Sequence, residues 1–349
     1  METPQPMSAR GDSPMWLGID LGATNAKAAV IDDSGAIIAR AAQPLDRSKP
    51  GGLTLEPVVE KLVECCEAAM RDANVSWAGI AGIGLGSPGR IDSDAGVVVG
   101  AANIFGGQEN VPLGQALQDR AFGVPTTLVN DADAAVAAEL WVGVGRSRDG
   151  SPPVDDLVFL TLGSGVGASI VCDGRRVVGA TSCTEGGHMI IVADGRPCGC
   201  GQRGCLEAYT SAISVVKRAQ EALDADSTCK SSLTDMDRSS LDCKAVFAAA
   251  EAGDALAKTI VDETAMYLAV GCINFTRTTD PALIVLSGGM AEAGTSFMEL
   301  VRGHIRRMSW TCLPVMDKVV AAAAGPHAGL IGAAAAARDT FQRQRDLLA

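Results

Sequence analysis

A segment made of a strand, a glycine-containing turn and a second strand occurs twice in this chain. The first copy covers residues 16–31 and the second covers residues 157–172, which gives an offset of 141 residues. The residues aligned at this offset are Ile19 with Leu160, Leu21 with Leu162, Gly22 with Gly163, Val30 with Val171 and Asp32 with Asp173. Because apolar runs that end in turn residues are typical of strands, the sequence predicts one module present in two copies.

The length and charge of the chain limit the kind of protein it can be. Its 349 residues are enough for two domains of ordinary size or for one large α/β domain. The net charge is −12 and no cluster of Lys and Arg is present, which argues against nucleic acids and anionic membranes as partners, because both are bound through clustered positive charge. An anion bound by this chain must therefore be held by local groups.

The sequence does not indicate export or membrane insertion. No apolar stretch is long enough for a membrane span, and residues 1–15 lack the apolar core of a signal peptide. The eleven cysteines are an odd number spread over a long chain, which favours reduced thiols over a disulfide framework. We therefore expect a cytoplasmic protein.

Three predicted strands run into glycine turns. The strands and their glycines are 16–20 with Gly22, 157–162 with Gly163 and Gly165, and 282–286 with Gly288 and Gly289. Glycine lets successive backbone N–H groups converge on phosphate oxygens, so the backbone of this acidic chain can hold a nucleoside triphosphate. Each turn alone would suit an ordinary tight turn equally well, but two copies in register and a third turn favour phosphate binding. Asp20, at the end of the first strand, is a candidate ligand for Mg²⁺.

Four potential metal ligands are crowded into residues 188–205. They are His188, Cys198, Cys200 and Cys205, in a glycine-rich stretch. Three thiolates and an imidazole match a closed tetrahedral Zn²⁺ site, which is structural because no coordination position remains for water. The alternative is three reduced thiols and an unrelated histidine, but the local density of cysteine favours the metal site.

One carboxylate at a strand end is a candidate general base. Residues 126–129 form a predicted strand that is followed by Asn130 and Asp131. Phosphoryl transfer to an alcohol needs the hydroxyl oxygen to be held in line with the γ-phosphate. It also needs a carboxylate that accepts the hydroxyl proton. The residues alone equally allow a helix N-cap at Asp131 or Asp133, so both interpretations remain open at this point.

The glycine loops and the cysteine cluster resemble two known signatures. The segments 20–24, 162–165 and 286–289 are similar to the two phosphate loops and the adenosine loop of the sugar kinase, Hsp70 and actin superfamily. The Glu-Gly-Gly-His run at 185–188, the cysteine loop and Glu207 resemble the signature of the ROK family (repressors, open reading frames and sugar kinases). The resemblance extends over residues 16–337.

The resemblance implies an α/β chain with a two-domain, actin-like ATPase fold of the ribonuclease H type, an interdomain cleft and a zinc-binding loop at 188–205. We expect a small domain over residues 1–126, joined by a C-terminal helix at 327–349, and a large domain over residues 127–326. The implied cofactors are ATP, Mg²⁺ and structural Zn²⁺, and the implied assembly is a homodimer.

The resemblance also implies the residues of the site, with Asp131 as the general base. The implied sugar contacts are Gly86, Asn103, Asn130, Asp131, Glu185, His188 and Glu207. The implied residues of the ATP site are Asp20, Gly22, Thr24, Asn25, Gly163, Gly165, Gly288 and Gly289. The chain departs from the family at Val129, where many relatives have Glu, and over residues 105–109, so the family pattern does not fix the identity of the sugar.

The activity implied by the resemblance is ATP-dependent phosphorylation of a hexose at the 6-hydroxyl, with glucose as the first expected substrate. N-acetylmannosamine, N-acetylglucosamine, fructose and mannose are the alternatives within this class. Some ROK proteins are instead sugar-responsive repressors with a helix-turn-helix domain ahead of the first phosphate loop. The fifteen residues before Trp16 are too few for such a domain, and the presence of Asp20 and Asp131 argues against an inactive sugar-binding protein, so we expect an enzyme.

Overall fold

The computed structural model describes residues 13–46, 52–146, 152–179, 185–225, 228–293, 295–309 and 315–348. The chain divides into two compact units: unit 1 comprises Met1–Val142 and Pro326–Ala349, and unit 2 comprises Gly143–Gly325. Residues 126–130, where the sequence suggested a boundary between domains, form a strand of the unit 1 sheet. The division between the units instead follows Val142.

The elements are as follows. The strands of unit 1 are β1 (Met15–Leu21), β2 (Asn25–Ile31), β3 (Ile37–Pro44), β4 (Ile80–Ser87), β5 (Arg90–Asp92), β6 (Val97–Gly100), β7 (Glu109–Val111) and β8 (Thr126–Asn130). The strands of unit 2 are β9 (Leu157–Leu162), β10 (Val166–Cys172), β11 (Arg175–Arg176), β12 (Leu283–Ser287) and β13 (Val319–Ala321). The α-helices are α1 (Leu55–Ala73), α2 (Ala102–Phe105), α3 (Leu113–Arg120), α4 (Asp131–Trp141), α5 (Glu207–Thr210), α6 (Ala212–Ala225), α7 (Cys243–Glu251), α8 (Ala255–Thr279), α9 (Thr295–Met308) and α10 (Ala328–Leu348).

Each unit contains a five-stranded sheet with the same arrangement of strands. The order is β3-β2-β1-β4-β8 in unit 1 and β11-β10-β9-β12-β13 in unit 2. In both sheets the duplicated hairpin is antiparallel, and its first strand pairs in parallel with the next strand in the order. The duplication predicted from the sequence therefore corresponds to two sheets of one topology.

The two duplicated hairpins differ by one residue in their turns. Ile19 pairs with Ala28 in the first hairpin, and Leu160 pairs with Ala168 in the second. The leading strands are thus 141 residues apart (160 − 19), whereas the return strands are 140 apart (168 − 28). The predicted alignment of Val30 with Val171 is therefore wrong by one residue, because the second turn is one residue shorter.

Helix α10 packs directly on the backbones of β1, β4 and α4, within unit 1. A Cβ atom at Gly84 of β4 would lie 1.6 Å from the carbonyl oxygen of Ala333, and one at Gly332 would lie 1.5 Å from that of Ala134 in α4. A Cβ atom at Gly18 of β1 would also meet the α10 backbone, at 2.0 Å. Since only glycine permits this approach, the glycines of β1, β4 and α10 allow the C-terminal helix to pack this closely on the sheet.

The opposite face of the unit 1 sheet carries the apolar core. Leu17, Ile19 and Leu21 alternate with Gly18 along β1, so they point away from α10. They pack in one buried cluster with Leu62 and other apolar residues of α1. The apolar stripe of α1 therefore lies against this face of the sheet.

The core of unit 2 lies between β9, β12 and the helices α6 to α9. Its buried residues include Leu160, Leu268 and Val301. Helices α7 and α8 are separate, because Gly253 has a φ of +101° and Asp254 caps the second helix by accepting a hydrogen bond from the N–H of Ala257. Among the described residues, no helix is both long and apolar enough to cross a membrane.

Candidate active site and metal cluster

Polar side chains lie at the ends of three neighbouring parallel strands in unit 1. Asp20 pairs with Gly86 between β1 and β4, and Ser87 pairs with Asn130 between β4 and β8. The carboxyl ends of parallel strands meet at one edge of a sheet, where α/β proteins bind ligands. The structure therefore brings Asp20, Gly86, Asn130 and Asp131 together at one edge.

The side chain of Asn130 is occupied by two structural hydrogen bonds. Its Oδ1 accepts from the N–H of Ala132 at 2.8 Å, and its Nδ2 donates to the carbonyl oxygen of Gly89 at 2.8 Å. Asn130 is the N-cap of α4, so the alternative of a cap at Asp131 or Asp133 is wrong. These bonds fix the loop that follows β4 to the start of α4 and leave Asp131 free of the capping role.

Asp131 is exposed at the first position of α4. Protein atoms around the carboxyl group desolvate its charged form and raise its pKa, and the negative charges of Asp20 and Asp133 act in the same direction. The N–H of Ala132, which donates to Oδ1 at 2.9 Å, opposes this shift and does not cancel it. A carboxylate that is both accessible and of raised pKa is suited to accept a proton from a bound substrate.

Asp20 has a partner that the sequence did not reveal. Its Oδ2 lies 3.2 Å from the Nζ of Lys27, the residue opposite it in the hairpin. On the other side, Gly329 of α10 leaves room beside the carboxylate, since a Cβ atom there would lie 3.3 Å from the Cγ of Asp20. The Asp20 carboxylate is thus positioned by a half-exposed ion pair, with a glycine beside it.

The two predicted phosphate loops are tight hairpin turns of similar form. In the first, the N–H of Gly22 donates to the carbonyl oxygen of Asn25 at 3.0 Å, and the side chain of Asn25 donates to the hydroxyl of Thr24 at 3.0 Å. In the second, the N–H of Gly163 donates to the carbonyl oxygen of Gly165 at 3.0 Å. Both copies of the module are therefore closed by a hydrogen bond from their first glycine.

The third glycine loop lies against the second one. Gly288 has a φ of +89°, and a Cβ atom on it would lie 2.5 Å from the carbonyl oxygen of Leu162 at the end of β9. Glycine is required here by both the backbone conformation and the close approach. Gly163 and the Gly288–Gly289 pair are thus neighbours in unit 2.

The four predicted metal ligands form one cluster. Their ligand atoms all lie within 4.8 Å of one another, with the Sγ atoms of Cys200 and Cys205 3.7 Å apart and the Sγ of Cys198 3.6 Å from the Nδ1 of His188. Tetrahedral Zn²⁺, with Zn–S of about 2.3 Å and Zn–N of about 2.0 Å, requires S···S and S···N separations of about 3.8 and 3.5 Å. The donor set and its spacing therefore fit Zn²⁺, with His188 binding through Nδ1.

Backbone hydrogen bonds fold residues 189–206 into a compact loop around these ligands. The bonds run from the N–H of Ile191 to Gly204, from that of Gly204 to Arg196, and from that of Leu206 to Met189. A Cβ atom at Gly204 would lie 1.8 Å from the carbonyl oxygen of Val192. Glycine at position 204 thus allows this short segment to fold tightly around the four ligand side chains.

The cysteines of the cluster differ in acidity. The backbone N–H of Gln202 is the main group that lowers the pKa of the exposed Cys200 thiol, to about 7. Desolvation raises the pKa of the Cys198 and Cys205 thiols. Because the thiolate is the form that binds metal, Cys200 is the ligand that is ionised most readily before the ion arrives.

The two glutamates that flank the cluster have different surroundings. Glu185 is exposed, and its carbonyl oxygen accepts from the N–H of His188 at 2.9 Å. Glu207, at the start of α5, is half-buried: its Oε2 accepts from the N–H of Val166 at 2.9 Å, and its Oε1 lies 3.5 Å from the Sγ of Cys198. Glu207 therefore connects the metal cluster with the second glycine loop.

Comparison with known proteins identifies the family. The sequence matches the profile of the ROK family over residues 16–340. The chain belongs to the ROK family. A glucokinase from Halalkalibacterium halodurans is 30% identical over 319 residues, which cover 91% of this chain and 93% of that protein. An N-acetylmannosamine kinase from Citrobacter koseri is 31% identical over 323 residues, covering 91% of this chain and 97% of that protein.

A solved structure of a ROK glucokinase from Streptomyces griseus, in complex with glucose and AMPPNP, superimposes with a TM-score of 0.74. It is 28% identical and covers 93% of this chain and 99% of that chain. Together with the family match, this confirms the predicted α/β fold of the actin-like ATPase type.

Two positions of this ROK chain bear on its sugar. Asn103 lies in α2, but its side chain is outside the described residues, so its contact with sugar stays a prediction. Val129 is buried against Ala134 and Ala333. This position therefore offers no carboxylate to a ligand.

The sequence missed the residues that hold the predicted ones in place. Lys27 lies beside Asp20, the carbonyl of Gly89 accepts from Asn130, and the N–H of Val166 donates to Glu207. Lys27 could have been found from the hairpin register, since it lies opposite Asp20 once the turn is known. The other two partners are backbone groups, which no side-chain pattern marks.

Proposed function

We propose that this ROK protein is an ATP-dependent kinase that phosphorylates the 6-hydroxyl of glucose. Hexose phosphorylation is supported by family membership and by glucokinases that are similar over almost the whole chain. The observation that carries the assignment of roles is Asp131, an exposed carboxylate of raised pKa at the sheet edge that also holds Asp20.

In this proposal Asp131 is the general base. It accepts the proton of the sugar hydroxyl while the hydroxyl oxygen bonds to the γ-phosphorus of ATP, and the bond from that phosphorus to ADP breaks. Asn130 sets the position of Asp131 through its bonds to Ala132 and Gly89. Most of the catalytic effect then comes from positioning and charge stabilisation rather than from covalent chemistry.

The nucleotide is held by backbone groups and one carboxylate. We assign the phosphates to the turns at Gly22–Asn25, including Thr24, and at Gly163–Gly165, and the adenosine to Gly288 and Gly289. Asp20 holds Mg²⁺, in keeping with the preference of that ion for one or two carboxylates plus phosphate oxygens, and Lys27 keeps Asp20 in place. A bound Mg²⁺ ion would neutralise the charge that develops on the phosphates during transfer.

The proposed sugar contacts are the residues that the family resemblance implies. We assign the sugar hydroxyls to Gly86, Asn103, Asn130, Asp131, Glu185, His188 and Glu207. With Nδ1 committed to metal, the Nε2 of His188 carries the proton and donates to a hydroxyl. The Zn²⁺ ion supplies structure to the loop and no step of the transfer.

N-acetylmannosamine is the second candidate substrate, because a kinase for that sugar is as similar to this chain as the glucokinases are. A coupled assay of ADP release should compare glucose, mannose, fructose, N-acetylglucosamine and N-acetylmannosamine in parallel. We expect the highest kcat/KM with glucose. A higher value with N-acetylmannosamine would replace the sugar and keep the kinase, whereas no ADP release with any of the five would contradict the kinase itself.

We further propose a cytoplasmic homodimer. The compartment is supported by the described cysteines, all of which are free thiols, and the assembly is the family expectation. Light scattering of the purified protein should give twice the 35.7 kDa of one chain. A single-chain mass at micromolar concentration would contradict the dimer.

A further inference from the structure

The segment that carries Glu207 contacts both ends of the second glycine turn. At one end, Glu207 accepts a hydrogen bond from the N–H of Val166 through Oε2, at 2.9 Å. At the other end, the N–H of Ala212, at the start of α6, donates to the carbonyl oxygen of Gly163 at 2.8 Å. The turn at 163–165 is thus held on both sides by residues 207–212.

The fit between Glu207 and the turn is close. A Cβ atom added to Gly165 would lie 2.6 Å from the Oε2 of Glu207. The turn is also limited from the other direction, because a Cβ atom at Gly187 would lie 1.9 Å from the carbonyl oxygen of Val166. The backbone of this turn therefore has little freedom to move without displacing the Glu207 carboxylate.

A carboxylate beside a phosphate-binding turn needs a physical reason. The negative charge of Glu207 would repel the phosphates of a bound nucleotide. If Glu207 only bound sugar, a position further from this turn would avoid that repulsion. Its hydrogen bond to a backbone N–H is charge-assisted, and such bonds are stronger than those between neutral groups. Here the bond fixes the orientation of the peptide between Gly165 and Val166, and with it the direction of the neighbouring N–H groups.

We propose that Glu207 is a positioning residue for the nucleotide: it holds the turn at residues 163–166 in the form that binds the phosphates of ATP. This inference rests on the proposed function, which assigns that turn to ATP, and adds to the sugar contact assigned to the same side chain. It follows that nucleotide binding depends on Glu207 even when no sugar is present.

The test is titration calorimetry of AMPPNP with Mg²⁺, in the absence of sugar, on the zinc-loaded full chain. We expect Glu207→Ala to weaken nucleotide binding about tenfold, as the loss of a hydrogen bond to a charged group implies. Glu207→Gln should restore binding, because its amide oxygen still accepts from Val166. Glu251→Ala is the matched control: it removes an exposed carboxylate at the end of α7, outside the assigned sites, so the Kd for nucleotide should not change.

A second variant tests the contact from the other side. Gly165→Ala places a methyl group against the Glu207 carboxylate and should weaken binding in the wild-type background. In the Glu207→Ala background the same change should have a much smaller effect, because the atom it meets is gone. Equal effects in the two backgrounds would mean that the methyl group acts on the phosphates directly and would overturn the inference.

The possible failures are distinguishable. If the wild-type protein binds no AMPPNP, the proposed function is wrong. If the wild type binds and Glu207→Ala binds within about twofold of it, Glu207 is a sugar residue only and the inference is wrong. Zinc content and thermal melting check each variant, and if Glu207→Ala does not fold, Glu207→Asp, which is too short to reach Val166, replaces it with the same two outcomes.

Discussion

Asp131 shows how neighbouring residues adapt one side chain to its role. The N-cap of α4 is provided by Asn130, so the Asp131 carboxylate is not consumed by capping. Desolvation and the charges of Asp20 and Asp133 raise its pKa, while its exposed position leaves it accessible to a substrate. Because only the ionised form of Asp131 can act as a base, the activity of the enzyme should depend on pH.

We predict that kcat/KM for the hexose falls as the pH is lowered through a value above the ordinary aspartate pKa of about 3.9. The direction follows because the base must be ionised, and the raised pKa of Asp131 means that protonation begins at higher pH. Asp131→Asn should lower kcat by about a hundredfold or more at all pH values. The pH profile of the ADP-release assay measures both effects.

The control for this prediction is Asp92→Asn, the same chemical change on β5 of unit 1, which should retain the wild-type profile. An Asp131→Asn protein with wild-type kcat would remove the base from the mechanism.

We predict about one zinc per chain and its loss in Cys200→Ala. The three remaining ligands would leave one coordination position open and bind the ion more weakly. Because Cys200 is exposed, the substitution should have little effect on the packing of the core. Cys229→Ala, which removes a thiol outside the cluster, should keep its zinc. Elemental analysis after dialysis gives the stoichiometry, and stoichiometric zinc in Cys200→Ala would exclude the proposed ligand set.

At the scale of elements, the close contact of α10 with unit 1 is the feature most sensitive to substitution. The contact is between backbones, so a methyl group cannot be accommodated by a change of rotamer. Ordinary helix propensity would favour alanine over glycine at the same position. The two effects oppose each other, and the distances decide which is larger.

We predict that Gly332→Ala destabilises the protein by about 1–3 kcal/mol, because its Cβ atom would lie 1.5 Å from the carbonyl oxygen of Ala134. Gly303→Ala is the matched control in the interior of α9, where a Cβ atom would meet none of the described atoms within 4 Å. It should stabilise by about 0.5–1 kcal/mol. Urea denaturation of both variants measures these changes, and equal effects would show that packing against α4 does not matter.

The elements also show what sequence patterns can establish. The apolar run at residues 157–162 predicts β9 to the residue, since this strand is almost wholly buried. The break between α7 and α8 depends on the positive φ of Gly253 and not on hydrophobicity, so apolar periodicity does not locate it. The sequence pattern aligned the duplicated hairpins one residue out of register beyond the turn, since turn length is set by backbone hydrogen bonds.

In the candidate site, too, side-chain patterns reveal some features and backbone contacts determine others. The cysteine and histidine ligands could be recognised because their type and spacing carry the chemistry, whereas the role of Asp131 is implied by the family resemblance and stays a prediction. The contacts of Glu207 with Val166 and of Asn130 with Gly89 could not be recognised, because their partners are backbone groups from distant parts of the chain.

At the scale of the whole molecule, the two units differ in how they are built from the chain. Unit 2 is one continuous stretch with its own core and metal cluster, whereas unit 1 is made of two stretches that flank it. A continuous unit with its own core can fold independently. Unit 1 without its second stretch would expose the faces of β1, β4 and α4 that α10 covers.

We predict that a fragment of residues 143–325 melts cooperatively and binds zinc, whereas a fragment of residues 1–142 does neither. Circular dichroism during heating and elemental analysis are the measurements. Adding residues 326–349 to the first fragment through a flexible linker should restore a cooperative transition. Cooperative melting of residues 1–142 alone would show that α10 is dispensable for unit 1.

The position of α10 in the chain also sets an order of events during translation. Domains commonly fold in the sequence in which they leave the ribosome. In this protein the stretch that completes the first-made unit is synthesised after the whole of unit 2. Unit 2 can therefore complete its fold before unit 1, and the N-terminal sheet keeps one face uncovered until residues 326–349 have been synthesised.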